Sequence, residues 1–272
     1  MNKITNPSVS KEYKTYLKKE RNKKILVISL QVLILVGFIA LWEILAKTGV
    51  IDTFITSCPS KIIETIVGIA ETGELWLHIS TTLYEALIGF GIATILGTLI
   101  AIILWFNDTL RRVLDPFLVV LNSLPKIALG PIIIIWVGIG TTSIVVMDVL
   151  IMIIITTLTM LGAFINCDKS KIMLLRSYGA NKLQILTKLV MPNSICEFIG
   201  VLKVNVGLTW VGTIMGEYLN SRAGLGYLIV YGGQIFNLNL VMASTVILCI
   251  LAGVMYFIVA WFEKIIRKRY NA

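Results

Sequence analysis

The chain has 272 residues, of which 57% are hydrophobic and only 14% charged, and its formal net charge is +9. This composition is rare in soluble domains and typical of polytopic membrane proteins. The basic residues lie between apolar runs rather than in one continuous patch, which argues against nucleic-acid binding. The four cysteines are scattered without CxxC spacing and without a neighbouring His, which favours apolar packing over a disulfide or a metal site; they are Cys58, Cys167, Cys196 and Cys249.

Six apolar segments are each long enough to cross a hydrocarbon core of about 30 Å. The predicted spans are 25–46, 79–106, 113–140, 141–165, 193–219 and 241–262. We therefore expect residues 25–268 to form one all-α transmembrane domain. Residues 1–24 are a basic arm and residues 269–272 a short tail. The first apolar run lacks a small-residue cleavage site, so it is interpreted as an anchor and not as a signal peptide.

The segments between the spans differ in character. Pro59 is expected to begin a short surface helix, and residues 220–240 are expected to form a Gly-rich loop. The apolar residues that would share one face of this helix are Ile62, Ile63, Ile66 and Ile69.

The loop charges predict the orientation, because Lys and Arg accumulate on the cytoplasmic side. With the N-terminus inside, the inside segments carry nineteen Lys and Arg residues and the outside segments carry three. This distribution predicts six spans with both termini inside. It also places the polar segment 168–192 in the cytoplasm.

Segment 168–192 is a short polar island between long apolar runs. Ile172, Leu175 and Tyr178 recur at helical spacing, and Gly179 is suited to the left-handed turn that ends a helix. Asn181 followed by Gln184 matches a capping box for a second helix, and Pro192 is expected to end the unit. The pattern predicts two short amphipathic helices joined at a glycine. On spacing alone, an interfacial loop that merely joins two spans remains an equal alternative.

The chain contains none of the common catalytic signatures. GxxxxGK[ST], HExxH and GxSxG are all absent, and the lone His78 has no evident partner. An enzyme is therefore disfavoured. The remaining classes are a transporter subunit, a self-sufficient secondary transporter or channel, and a membrane scaffold.

Ionisable residues inside spans are costly and mark candidate functional positions, since burying a charge in lipid costs on the order of 3 kcal/mol. Lys126 follows Pro125, which disfavours an unbroken helix in the third span, as does Pro131. We expect Lys126 to line a cavity, the alternative being a pairing with Asp148 or Glu85. The residues considered for a translocation path are Lys126, Asp148, Lys203 and Glu217. Lys203 could equally snorkel, and Glu217 could equally position the loop that follows it.

Three motifs carry a resemblance to a known family. RSYGANKLQILTKLVMP in the hairpin resembles the EAA loop of binding-protein-dependent ABC importer permeases. The similarity continues through LNSLPKIALGPIIIIWVGIG and GLTWVGTIMGEYLNSRAGLGYLI. It covers roughly residues 30–268 and looks like the nitrate/sulfonate/taurine-type branch, which also includes permeases for pyrimidine-like vitamin precursors.

The resemblance implies a type I importer permease fold in a prokaryotic cell membrane. It also implies partners: a dimer of ATPase subunits, an extracytoplasmic binding protein and a second permease copy, most simply a homodimer. ATP and Mg²⁺ would belong to the ATPase, and this chain would hold no cofactor. The solute would be a small anion such as a nitrate or sulfonate, or a small polar heterocycle.

The same resemblance assigns ATPase coupling to one stretch of the hairpin. The residues concerned are Arg176, Ser177, Tyr178, Gly179, Ala180, Asn181 and Lys182. The chain departs from the family pattern at Met173, which stands where the family has Glu. The two Ala positions of that pattern are occupied by Leu174 and Leu175.

Two features separate these hypotheses. A secondary transporter is favoured by inverted repeats and paired broken helices, whereas only one broken span is evident here. A scaffold needs no continuous polar path. The permease of an ATP-driven importer is thus the preferred interpretation.

Overall fold

The computed structural model describes residues 11–270, apart from a few side chains near the two ends, and this range contains helices and no strand. The all-α prediction is confirmed for this range. Residues 1–10 of the predicted basic arm and residues 271–272 of the tail lie outside the described residues. Contacts divide the chain into two compact units, with the boundary between Ile63 and Glu64.

The first unit is built on one long helix, α1 (Lys11–Lys47), followed by the single turn α2 (Thr53–Thr56) and the start of α3 (Pro59–Glu71). Helix α1 begins well before the predicted span 25–46, because the basic arm is rich in good helix formers and contains no Gly or Pro after Lys11. Near its end, Glu43 accepts hydrogen bonds from Ser60 N at 3.1 Å and Ser60 Oγ at 2.7 Å. This contact ties α1 to the beginning of α3.

The second unit contains the remaining helices. In chain order they are α4 (Glu74–Phe106), α5 (Asp108–Ser123), α6 (Gly130–Val137), α7 (Thr141–Ile165), α8 (Lys169–Ser177), α9 (Lys182–Ile185), α10 (Met191–Asn193), α11 (Ile195–Asn220), α12 (Leu225–Gln234) and α13 (Leu238–Tyr270). A 3₁₀ turn (Lys126–Leu129) precedes α6, and a π turn (Leu186–Val190) joins α9 to α10. Within the described range, α1, α4, α7, α11 and α13 are long and apolar enough to cross a membrane.

The third predicted span, 113–140, is sharply bent. Helix α5 and the segment Lys126–Val137 meet at 85°, so the described residues contain up to six spans if this pair is counted as one. The break falls at Leu124 and Pro125, where the residue before proline takes an extended conformation. Pro131, which we expected to break the span as well, instead lies in the first turn of α6, where no backbone donor is lost.

Two expectations about the connecting segments need correction. Residues 220–240 are not a loop throughout, because α12 occupies Leu225–Gln234 and several of its residues are buried. Pro59 does begin a helix, as predicted, but Ile63 is exposed and does not share the face of Ile66 and Ile69, which pack against the apolar core.

Helix α7 packs against both α4 and α11. Glycines allow the close approach: a Cβ at Gly97 would lie 2.6 Å from Cβ of Thr156, and one at Gly216 would lie 2.9 Å from Cγ2 of Ile144. Small residues at such crossings are typical of membrane helices. Polar groups inside the bundle are paired across helices; Asn205 Nδ2 donates to Thr94 Oγ1 at 3.1 Å and to Thr156 Oγ1 at 2.9 Å.

Candidate functional site

The first turn of the hairpin has the predicted glycine geometry. Gly179 adopts φ +79°, and nothing lies within 4 Å of the position that a Cβ would occupy. Gly179 N donates to Arg176 O at 2.9 Å, and Ala180 N donates to Leu175 O at 3.0 Å. These two bonds form a Schellman motif, which satisfies the last carbonyls of α8. The glycine is therefore required by backbone conformation and not by packing.

The second helix of the hairpin begins with the predicted capping box. Gln184 N donates to Asn181 Oδ1 at 2.8 Å, and Asn181 N donates to Gln184 Oε1 at 2.9 Å. The unit ends one residue beyond the predicted Pro192, because α10 ends at Asn193 and a turn at Ser194 separates it from α11.

The hairpin is anchored on the ends of the long helices. Ile185, Leu186 and Val190 are buried in a cluster that includes Leu104 of α4 and Phe164 of α7. In addition, Lys182 Nζ donates to the backbone carbonyl of Phe106, the last residue of α4, at 3.2 Å. A cation at a helix C-terminus also interacts favourably with the helix dipole. Val201 of α11 belongs to the same cluster, so the hairpin packs on the ends of α4, α7 and α11.

The outer side of the hairpin presents apolar side chains. Tyr178 is 80% exposed and Met173 is 69% exposed, and Leu174 and Leu183 are also exposed. We call these four residues the hairpin tip. Exposed cations flank it at Lys171, Arg176, Lys182 and Lys188. An apolar patch with a charged rim is typical of a protein interaction site.

Of the seven predicted coupling residues, the structure brings six onto the exposed side of the hairpin and leaves Ala180 half-buried. Arg176 also lines a pocket of about 350 Å³ together with Trp105, Arg111, Lys169 and Ile172. Arg111 forms an ion pair with Asp108.

Lys126 lies at the break of the bent span. Its Nζ donates to the backbone carbonyl of Asn122 at 3.0 Å, one of the last carbonyls of α5, which have no donor within the helix. The side chain is half-buried and pairs with neither Asp148 nor Glu85, so the predicted alternative is not observed.

Asp148 and Lys203 each bond to a side chain of a neighbouring helix. Asp148 has no exposed surface and accepts a hydrogen bond from Thr213 Oγ1 at 2.7 Å. Lys203 forms an ion pair with Glu263 of α13, and its Nζ lies 5.9 Å from the centroid of the Tyr256 ring.

Glu217 caps the start of α12. Its Oε2 accepts from Gly226 N at 2.5 Å and Tyr227 N at 3.3 Å. Two further backbone donors at this helix start are bonded by α4: Gly224 N donates to His78 Nδ1 at 3.0 Å, and Leu225 N donates to Thr82 Oγ1 at 2.8 Å. Of the two roles considered for Glu217, the structure displays the positioning of the segment that follows it.

The sequence did not predict that His78, Thr82 and Glu217 together cap the start of α12. His78 and Thr82 lie one helical turn apart, and this spacing alone indicated that their side chains share one face of α4. The start of α12, which they bind, lies more than 140 residues further along the chain. Four backbone donors without internal partners are normal at a helix start. Here side chains from two other helices supply the acceptors.

The sequence of this chain is similar to those of known transport proteins. Residues 93–272 match the family model described as "Binding-protein-dependent transport system inner membrane component". The chain is 24% identical to the taurine transport system permease protein TauC of Escherichia coli (strain K12), over 83% of this chain and 85% of that protein. It is 28% identical to the formylaminopyrimidine transport permease protein ThiX of Halalkalibacterium halodurans, over 69% of this chain and 74% of that protein.

The fold also has a solved counterpart. A chain of a bacterial alginate ABC transporter, crystallised in complex with an alginate pentasaccharide-bound periplasmic protein, superposes with a TM-score of 0.60 at 11% identity. The match covers 93% of this chain and 97% of that chain, which shows a type I ABC importer permease fold. The relatives are named as transport permeases, so the chain is a transport subunit rather than an enzyme. It belongs to the family of binding-protein-dependent transport system inner membrane components.

Proposed function

We propose that this permease forms the solute path of an ATP-driven importer and couples to a separate ATPase through hairpin 168–192. The observation that carries the proposal is the hairpin tip, an exposed apolar surface on a segment anchored to the ends of three long helices. An ATPase that binds the tip and changes shape on ATP binding would move α4, α7 and α11 together. That coupling would drive alternation between inward- and outward-facing states.

The complete importer would contain two permease copies, two ATPase subunits and an extracytoplasmic binding protein. ATP and Mg²⁺ would be held by the ATPase alone. The bent segment supports pairing of two copies, because its side chains Ile135 and Trp136 are 80% and 79% exposed. Large apolar side chains at a broken span require either lipid or a protein partner.

The chain would lie in the cytoplasmic membrane of a prokaryote, with both termini and the hairpin inside. The support is the distribution of basic residues, which are concentrated in the arm, the hairpin and the tail.

The solute would be a small anion of the nitrate or sulfonate type, or a small polar heterocycle. Lys126 supports an anion, because it is a half-buried cation at the break of the bent span. The relative named for formylaminopyrimidine supports the heterocycle. A self-sufficient secondary transporter is the second candidate. Such transporters typically contain paired broken helices, whereas residues 11–270 contain one bent helix pair.

The coupling assignment is tested by a matched pair of glycine substitutions. Gly179 and Gly73 both have φ +79°, and neither has an atom within 4 Å of the position of a Cβ. Alanine therefore costs each site the same backbone strain, about 1–2 kcal/mol, without a steric clash. The chain is purified with the ATPase that copurifies with it, and ATP turnover is measured with and without the binding protein.

We expect Gly179→Ala to reduce binding-protein-stimulated ATP turnover and Gly73→Ala to leave it near the wild-type value. Equal ATP turnover in the two variants would indicate that the hairpin only connects two spans and does not couple to the ATPase. Full solute uptake by the chain alone in liposomes would support the secondary transporter instead.

A further inference from the structure

A cavity of about 350 Å³ at one end of the bundle is lined by three cations, Arg111 of α5 together with Lys169 and Arg176 of α8. We call it the basic pocket. None of its eight lining residues is acidic. Positive charges that converge on one cavity repel one another unless an anion neutralises them.

Protein carboxylates neutralise little of this charge. Lys169 and Arg176 form no ion pair with any residue in the described range. Arg111 pairs with Asp108, but the same carboxylate also pairs with Arg112 at 2.8 Å. A guanidinium has five N–H donors, so Arg111 keeps donors for a ligand after this pairing. The basic pocket therefore fits an anion, and the planar fork of arginine suits the oxygens of a phosphate group.

The apolar part of the pocket lining comes from the ends of two membrane-spanning helices. Trp105 is the residue before the last of α4, and Phe164 and Ile165 are the last two residues of α7. At such helix ends the hydrocarbon core gives way to the lipid headgroups, and Trp is enriched at this boundary. The three cations beside these helix ends therefore lie at the depth of the lipid phosphates, whichever membrane surface this end faces.

We propose that the basic pocket binds the phosphate headgroup of an anionic phospholipid. Basic pockets at the ends of membrane helices are suited to such headgroups. A zwitterionic headgroup carries its own cation, which the three positive side chains would repel, so we expect selectivity for the anionic lipid. This proposal does not depend on the ATPase assignment.

An acidic group of the proposed ATPase is the competing occupant, because Met173 belongs both to the hairpin tip and to the pocket lining. The rest of the lining favours the lipid. Trp105 is half-buried and Phe164 is buried at the ends of their spans, whereas Tyr178, the most exposed residue of the tip, does not line the pocket. The pocket thus opens beside the membrane boundary and not at the centre of the tip.

Native mass spectrometry of the full-length chain tests the proposal, with phosphatidylglycerol and phosphatidylcholine of identical acyl chains as probes. The measured quantity is the ratio of the two dissociation constants for the first bound lipid. This ratio reports headgroup selectivity and is insensitive to a partial loss of folded protein. We expect the wild-type chain to prefer phosphatidylglycerol by about tenfold. Equal affinities would overturn the proposal.

Two double variants remove the same charge from the same two helices. Arg111→Gln with Lys169→Gln removes two of the pocket cations, whereas Arg112→Gln with Lys171→Gln removes two exposed cations that do not line the pocket. Each also breaks one ion pair of Asp108. We expect the first variant to lose the preference for phosphatidylglycerol and the second to keep it. An equal loss in both would indicate a diffuse surface attraction and would overturn the specific site.

Two further measurements separate the lipid from other anions. Inorganic phosphate should displace no more phosphatidylglycerol than sodium chloride does at equal ionic strength; greater displacement would assign the pocket to a soluble phosphate and overturn the proposal. The ATPase that copurifies with each double variant is also quantified. Loss of the ATPase from the first variant with an unchanged lipid preference would assign the pocket to an acidic surface of the ATPase, and the lipid proposal would be wrong.

Discussion

Polar side chains between α4, α7 and α11 bond to neighbouring helices, whereas apolar side chains at the hairpin tip remain exposed to solvent. Inside the bundle, Asn205 joins all three helices through Thr94 and Thr156. At the tip, Tyr178 and Met173 pack against nothing that would bury them. These interhelical hydrogen bonds form within one chain, whereas the tip would be covered only in the proposed complex with the ATPase. Substitutions in the first region should affect folding, and those in the second should affect assembly and transport.

The largest effect is expected where α7 and α11 touch. A Cβ at Gly212 would lie 2.0 Å from Asp148 Oδ1 and 3.1 Å from Asp148 Cα. Gly212→Ala should therefore push the helices apart and destabilise the fold by about 3 kcal/mol. The measurement is the apparent midpoint of thermal unfolding in detergent.

Gly207→Ala is the matched control, because Gly207 lies in the same helix with nothing within 4 Å of its Cβ position. Helix propensity alone predicts that this control is neutral or slightly stabilising. A Gly212→Ala protein as stable as this control would show that the close packing at Asp148 is not required.

A smaller loss is expected at the cap of α12. Thr82→Val keeps the shape of the side chain but removes the acceptor of the buried Leu225 N–H, which should cost about 1–2 kcal/mol. Thr81→Val serves for comparison, since the Thr81 hydroxyl bonds only to the Leu77 carbonyl of its own helix. The same unfolding midpoints are compared, and an equal change in both variants would argue against the cap.

Lys126 lies at the break of the bent span, and its substitution should affect transport more than stability. Lys126→Met removes the cation at the break of the bent span and the hydrogen bond to Asn122 O. We expect normal association with the ATPase and severalfold slower uptake in proteoliposomes that contain the ATPase and binding protein. Lys126→Arg should retain more uptake than Met because the charge is kept. Equal uptake by the Lys126→Met variant and the wild-type protein would indicate that Lys126 only caps the end of α5.

Local signals predicted the hairpin well, because its geometry is determined by adjacent residues. The turn at Gly179 and the Asn181–Gln184 capping box involve residues no more than five positions apart. Similarly, α7 occupies Thr141–Ile165, the same range as the fourth predicted span. In these segments the composition and the backbone preferences of the residues were sufficient to predict the local structure.

Tertiary contacts explain what the sequence did not reveal. Four glycines in and beside α12 suggested a loop, but acceptors on α4 and α11 stabilise a helix there. The burial of Asp148 likewise depends on Gly89 and Gly212, which lie on two other helices. A local sequence pattern does not predict which distant glycine packs against a given carboxyl group.

Photo-crosslinking in native membranes tests whether the hairpin tip binds a separate ATPase. Tyr178 is replaced by a photoreactive aromatic residue in the full-length chain, and Trp76, which is 70% exposed near the other end of α4, is replaced in a control. After illumination of native membranes, the crosslinked product is identified by mass spectrometry. We predict that the Tyr178 position captures an ATPase subunit and the Trp76 position does not. An ATPase captured from neither position, or equally from both, would show that the hairpin tip is not the ATPase-binding surface.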